Sequence, residues 1–190
     1  MIKINKLIGD ILLRILPNNR MVYNFSKILI NRYNNNKNSI PQKNGEFNIL
    51  KIFLLSNIKD KSFFDVGCNF GEFTKYLLNN NYKDKIYLFD VIEDLDKGII
   101  KNDKVKFFKI LFWDKCEKLK FNVDKKVSNS GHNSAFDMNE IGYSTQSNKV
   151  EINSSTLDNF IQENNIKKVD YLKIDTEGSE YRILKGASSN

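Results

Sequence analysis

Proline, cysteine and histidine are nearly absent from this chain of 190 residues, which carries two Pro, two Cys and one His. Cys68 and Cys116 are too few for a disulfide framework, and their scarcity fits a reducing, cytoplasmic compartment. One His with two widely spaced Cys cannot complete a tetrahedral site, so zinc is excluded as a structural staple and no metal-ligating residues are assigned. Two Pro and nine Gly argue against a low-complexity linker protein. No run of eighteen uninterrupted apolar residues occurs, which excludes a helix that spans a membrane. Acidic residues are scarce in one region only. Residues 1–62 hold 11 Lys and Arg against 3 Asp and Glu, whereas 63–190 hold 19 against 20. The overall charge of +7 therefore belongs to the N-terminal third. A nucleic-acid enzyme carries basic charge around its cleft, so this distribution argues against a nucleic-acid partner.

What is abundant is apolar and aromatic. A hydrophobic share of 41%, with fourteen Phe and eight Tyr, exceeds what a disordered chain carries and suffices for one sizeable core. Residues 1–45 read as a basic helical extension and an Asn-rich linker, and 46–190 as the main domain. Ile4, Leu7, Ile8, Ile11, Leu12 and Ile15 share one face of a helix that Pro17 ends. Asp10 and Arg14 interrupt that stripe, and no small-residue cleavage site follows, so a secretory signal is not expected. The stripe suits packing on the main domain or a partner, or a weak peripheral membrane contact through residues 1–16. A second helix is predicted over Arg20–Tyr33, and 34–39 with Pro41 reads as a loop.

From Glu46 the pattern becomes regular. Helices are predicted at Glu46–Leu55, Gly71–Asn80, Glu93–Ile100 and Thr156–Glu163, the last with Ser155 as N-cap, and a final one starts at Tyr181. Strands are predicted at Ser62–Val66, Lys85–Phe89, Val105–Ile110 and Val169–Ile174, with further ones at Lys118–Val123 and Lys149–Ile152 around an irregular loop, 128–148. This alternation predicts an α/β fold with a parallel sheet and right-handed crossovers.

Three local patterns carry chemistry. In Asp65-Val66-Gly67-Cys68-Asn69-Phe70-Gly71, after a strand and opening a helix, Gly67 permits a tight turn and Gly71 a close helix approach. Asn69 is a residue type that tolerates left-handed backbone. Asp65 is placed for a cationic or hydroxyl-bearing ligand group. Asp90 ends the next strand, 19 residues after Gly71, a spacing that suits an acid holding ribose hydroxyls; a solvated strand-end carboxylate is the plainer alternative. A dinucleotide would want a compact G-x-G-x-x-G for its pyrophosphate, which Asp65 would repel. S-adenosylmethionine fits better, and a nucleotide-dependent oxidoreductase is disfavoured. Thirdly, Asp175 and Glu177 stand at the carboxyl end of a strand, where open α/β sheets bind ligands; an acidic helix N-terminus explains them equally well.

Together these stretches resemble the FkbM-type methyltransferases. The likeness rests on Asp65–Gly71 with Thr74, on Phe112-Trp113-Asp114, on Ser155–Ile161 and on Leu172–Ala187. It implies a class I methyltransferase (Rossmann-like) sheet with helices on both faces, and S-adenosylmethionine as cofactor. It further implies methyl transfer to a hydroxyl of a sugar, glycan or polyketide-like acceptor. Asp65, Gly67, Cys68, Asn69, Gly71, Thr74 and Asp90 are then expected at the cofactor, with Trp113 and Asp114 bordering adenine and core packing the equal alternative for Trp113. Asp175 and Glu177 are the first candidates for a base, and His132, in the Gly131–Ser134 loop, is a third. Cys68 stands where the family usually has Ala and is read as structural. Asp90-Val91 stands where Glu-Pro is usual, with a shorter reach. Lys173 alternates outward along its strand and is read as a partner of neighbouring acids. A seven-stranded sheet needs roughly 50 to 60 more residues after Ala187, while the chain ends at Asn190. A fragment, or a sheet completed by a partner chain, is therefore expected, and a catalytically silent interaction module is the alternative function.

Overall fold

A computed structural model of the chain describes residues 17, 19–33, 41–91, 95–124 and 147–188. The chain forms two compact units that divide between Ile49 and Leu50. The first contains helix α1 (Arg20–Tyr33), the short helix α2 (Pro41–Asn44) and the start of α3 (Glu46–Leu55). α1 begins at Arg20 because the Asn19 side chain accepts from the N–H groups of Met21 and Val22, both at 3.0 Å. The expected helix over 2–16, the 34–40 linker and nearly all of the 128–148 loop, His132 included, lie outside the described residues.

The second unit runs β1 (Ser62–Val66), α4 (Glu72–Asn79), β2 (Lys85–Asp90), α5 (Lys97–Ile100), β3 (Val105–Lys109) and β4 (Leu111–Phe112), then β5 (Lys118–Asp124), β6 (Ser147–Ser155), α6 (Leu157–Glu163), β7 (Tyr171–Ile174) and α7 (Glu180–Lys185). Four strands form one sheet in the order β3-β2-β1-β7, and each adjacent pair is parallel. Every residue of β1 is buried, as expected for a strand covered on both faces. Alternation along the pleat sorts its side chains. Phe64 and Val66, with Tyr87 and Phe89 of β2, pack against Leu157, Phe160 and Ile161 of α6 and Ile183 of α7. Phe160 stands edge-on to Phe89, Phe108 and Phe112, with ring centroids 4.9, 4.8 and 5.7 Å away. Phe63, on the opposite face, meets Phe53 of α3 and Tyr171 of β7.

Three features depart from the sequence reading. The parallel sheet is not the only one: β4, β6 and β5 form a second sheet in which β5 and β6 run antiparallel and β4 pairs parallel with β6. The helix expected from Glu93 begins at Lys97, because Asp96 leaves the helical conformation and its carboxylate accepts from Gly98 N–H at 2.7 Å. The N-cap of α6 is Thr156, whose hydroxyl accepts from Asn159 N–H at 3.1 Å. Ser155 instead stays in β6 in register with Phe112, and its carbonyl accepts from Trp113 N–H at 2.9 Å.

Candidate active site at the carboxyl ends of β1, β2 and β7

Parallel strands end together, and the turns that follow them meet. Gly67 follows β1 with φ of 72°, and its N–H donates to the Phe89 carbonyl at 2.9 Å. A Cβ at Gly67 would stand 1.9 Å from the Asp175 carbonyl oxygen, so only glycine lets this turn lie against the end of β7. Asn69 (φ 47°) and Gly71 (φ 70°) complete the reversal into α4. A Cβ at Gly71 would meet Ile99 at 2.7 Å and Leu95 at 3.1 Å. Asp90 then secures the turn from β2. Its carboxylate accepts from Asn69 N–H at 2.9 Å and from Val91 N–H at 2.8 Å.

The register places Asp65 directly beside Lys173. Asp65 is wholly buried, and the Lys173 side chain is 12% exposed. The ammonium lies 2.9 Å from Asp65 Oδ1, donates to the Gly67 carbonyl at 2.8 Å, and approaches Asp175 at 3.8 Å. It also sits over the Phe73 ring, 5.1 Å from its centroid. The Asp65 contact is a buried ion pair. Burial pushes the Asp65 carboxyl up, opposed by the Lys173 ammonium. Burial also works against the Lys173 charge, but the fields of Asp65 and Asp175 outweigh it and hold the ammonium protonated.

Two buried polar atoms beside the turn have no hydrogen-bond partner among the described residues: Asp65 Oδ2 and the Thr74 hydroxyl on α4. An unmet buried polar atom costs about 1–3 kcal/mol, so such atoms belong where something else supplies the partner. Burial, reinforced by Asp65 and Asp90, pushes the Cys68 thiol up and keeps it from being a thiolate. Asp175 and Glu177 both stand at the exit of β7 and are exposed, with Glu177 in left-handed backbone at φ 53°. Trp113 and Asp114 occupy a corner built from β4 and α7. Trp113 is buried under the Arg182 guanidinium, and Asp114 Oδ2 takes Arg182 at 2.7 Å and Lys185 at 3.7 Å. The Arg182 hydrogen bond holds the Asp114 carboxyl below the usual carboxylate range.

A model of the FkbM methyltransferase domain matches residues 65–190. The chain belongs to the FkbM methyltransferase family. Its matched segment covers two thirds of the sequence and opens at Asp65, the buried acid of the site. No curated protein and no solved structure matches the chain. Within this methyltransferase domain the turn residues Gly67, Asn69 and Gly71 come together with Asp65, Asp90 and Asp175. Lys173 does pair with neighbouring acids, as the sequence suggests, but it does not face outward: its register beside Asp65 of β1 buries it in the site. Its signal was a lone lysine in the otherwise apolar Tyr171–Ile174 strand, two residues before Asp175 and so on the same face. The loop closure by Glu180 was also missed. Glu180 Oε1 accepts from Thr176 N–H at 2.8 Å, Thr176 hydroxyl at 3.3 Å and Gly178 N–H at 3.2 Å.

Proposed function

We propose that this member of the family is an S-adenosylmethionine-dependent O-methyltransferase acting on a hydroxyl of a sugar, glycan or polyketide-like molecule. The observation that carries the reading is the buried Asp65 carboxylate, with Oδ2 unpartnered beside a glycine turn that no side chain could enter. The residues present fit the cofactor. Asp65 Oδ2 suits an ammonium donor, and the Thr74 hydroxyl suits a further polar contact. Asp90, at the carboxyl end of β2 beside the same turn, is an acid of the kind that accepts from ribose hydroxyls. When bound, S-adenosylmethionine supplies an activated methyl group on a sulfonium.

The chain's own chemistry is to orient the acceptor and to take its proton. An alcohol is a weak acid, so a carboxylate within hydrogen-bond reach lowers the barrier. Asp175 and Glu177 are the proposed bases, and both lie on the turn that Glu180 closes, which holds their backbone in place. The buried Phe73 ring, against which the Lys173 ammonium lies, lends the turn an apolar wall.

Calorimetric titration of the full chain with S-adenosylmethionine tests the cofactor. Saturable binding is expected, weakened about tenfold or more by Asp65→Asn, the loss that a charge-assisted hydrogen bond carries. Thr74→Val, which preserves shape, is expected to weaken binding less. Unaltered affinity in both variants, with circular dichroism unchanged, would overturn the assignment, and displacement by NAD would point to a dinucleotide instead. Methyl transfer to a panel of sugar and polyketide-like alcohols then tests the acceptor. Asp175→Asn or Glu177→Gln is expected to lower turnover about a hundredfold at unchanged cofactor affinity, the scale of a general base.

A further inference from the structure

Helix α1 carries a surface that the methyltransferase reading does not use. Its 14 residues, RMVYNFSKILINRY, contain three basic residues and no acid. With residues advancing about 100° each, Met21, Val22, Phe25, Ile28 and Leu29 fall in a stripe about 120° wide. Met21, Phe25, Ile28 and Leu29 are 51–78% exposed. Arg20 and Lys27 lie on the opposite face, where the Lys27 ammonium stands 5.1 Å from the Tyr23 ring centroid. Tyr23 and Ile30 are the apolar exceptions on that side, and Arg32, in the last turn, is by the same advance the basic exception at a stripe position. The helix is properly begun by Asn19, so the stripe belongs to a defined helix and not to a frayed segment.

Two observations select the occupant. The helix is about 21 Å long, and among the described residues no helix is long and apolar enough to cross a membrane. A segment of this kind lies along a surface. Its charge is of one sign, as is most of residues 1–62, so the complementary surface is anionic. We infer that α1 docks in the plane of an anionic lipid bilayer, with Met21, Phe25, Ile28 and Leu29 toward the acyl chains and Arg20 and Lys27 on the polar side. This pairing of an apolar stripe with a basic face is the composition of interfacial helices. The inference stands independently of the methyl-transfer reading.

Cosedimentation of the full chain with vesicles tests it, using phosphatidylcholine alone and phosphatidylcholine with phosphatidylserine. Binding is expected to the phosphatidylserine vesicles, to fall as salt is raised, and to be weak on phosphatidylcholine alone. Phe25→Asp with Ile28→Asp is expected to reduce partitioning about tenfold or more, and Lys27→Glu about tenfold. These side chains are exposed, so unchanged circular dichroism and melting are expected and confirm that folding is not what was lost. The inference is overturned if the chain ignores phosphatidylserine vesicles. It is equally overturned if the α1 variants bind like the parent while Ile8→Asp with Ile11→Asp abolishes binding. Dimers in sedimentation velocity that the α1 variants disperse, without vesicle binding, would make the occupant a second copy and overturn it as well.

Discussion

Lys173 organises the site because a charged side chain buried on a strand must find its counter-charges in the neighbouring strand. Its ammonium meets Asp65, the Gly67 carbonyl and Asp175 at once. Removing it leaves Asp65 buried without a cation, a change that costs about 3–5 kcal/mol in proteins of this kind. Lys173→Met is therefore expected to lower the melting temperature sharply, while the double variant Asp65→Asn with Lys173→Met recovers most of the loss. The sign of the pH dependence follows from burial, which raises the Asp65 carboxyl in the folded state. A group raised on folding favours the folded state below its unfolded value, 3.8, and that advantage is lost as pH rises through the higher folded value. The melting deficit of Lys173→Met against the parent should thus grow from acid to neutral pH. A deficit that shrank instead would show that Asp65 is not the group left uncompensated.

At the scale of elements, ends and turns decide more than interiors. The ranges Arg20–Tyr33, Glu46–Leu55 and Ser62–Val66 are legible in local sequence, the first as an apolar stripe and the other two as apolar runs of helix and strand length. The start of α6 was not, because Ser155 and Thr156 both carry a hydroxyl. Pairing with β4 keeps Ser155 extended and passes the cap to Thr156. Thr156→Ala is expected to destabilise by about 1 kcal/mol and Ser155→Ala by clearly less, measured by urea unfolding. The end of α3 has a cap of another kind. The buried Lys61 ammonium donates to the carbonyls of Phe53 and Leu54 at 2.9 and 3.1 Å, using the orphan acceptors of a helix C-terminus. The turn between β7 and α7 depends on Glu180. Burial works against its charge, but hydrogen bonds from Thr176 and Gly178 outweigh it and hold the carboxyl below its usual value of 4.5. Its contribution is therefore full above that value and is lost as pH falls through the lower folded one. The stability difference between the parent and Glu180→Gln should be constant near neutrality and close in acid. A difference that persisted unchanged into acid would refute a carboxylate role.

At the scale of the whole molecule, ligand linkage joins the site to stability. If S-adenosylmethionine binds the native chain alone, then a ligand at one hundred times its dissociation constant adds about 2.7 kcal/mol. For a chain of this size that corresponds to a rise in melting temperature of about 5–10 °C. Differential scanning fluorimetry measures it directly, and the roughly tenfold weaker binding expected of Asp65→Asn should cut the rise by about half. The same scale exposes what periodicity could not show about the architecture. Lys118–Val123 and Lys149–Ile152 read as ordinary strands and Leu111–Phe112 shows no strand pattern of its own, yet Ser147–Ser155 pairs with both Leu111–Phe112 and Lys118–Asp124 in a second sheet. Strand partners are chosen across long stretches of chain by the fit of side chains on two faces, which a local pattern does not encode.

The α/β class, the strand and helix interiors, the glycine turn and its flanking acids follow from local sequence, because backbone dihedrals and alternation of apolar residues are properties of neighbouring residues. The family motifs belong to the same level, and residues 65–190 match the family there. The order β3-β2-β1-β7, the pairing of Asp65 with Lys173 and the approach of Gly67 to Asp175 were decided only in three dimensions. Asp65 and Lys173 are more than one hundred positions apart in sequence, and only the β1–β7 register makes them neighbours. The burial that turns a surface-type lysine into the counter-charge of a buried acid exists only once both faces of that sheet are covered.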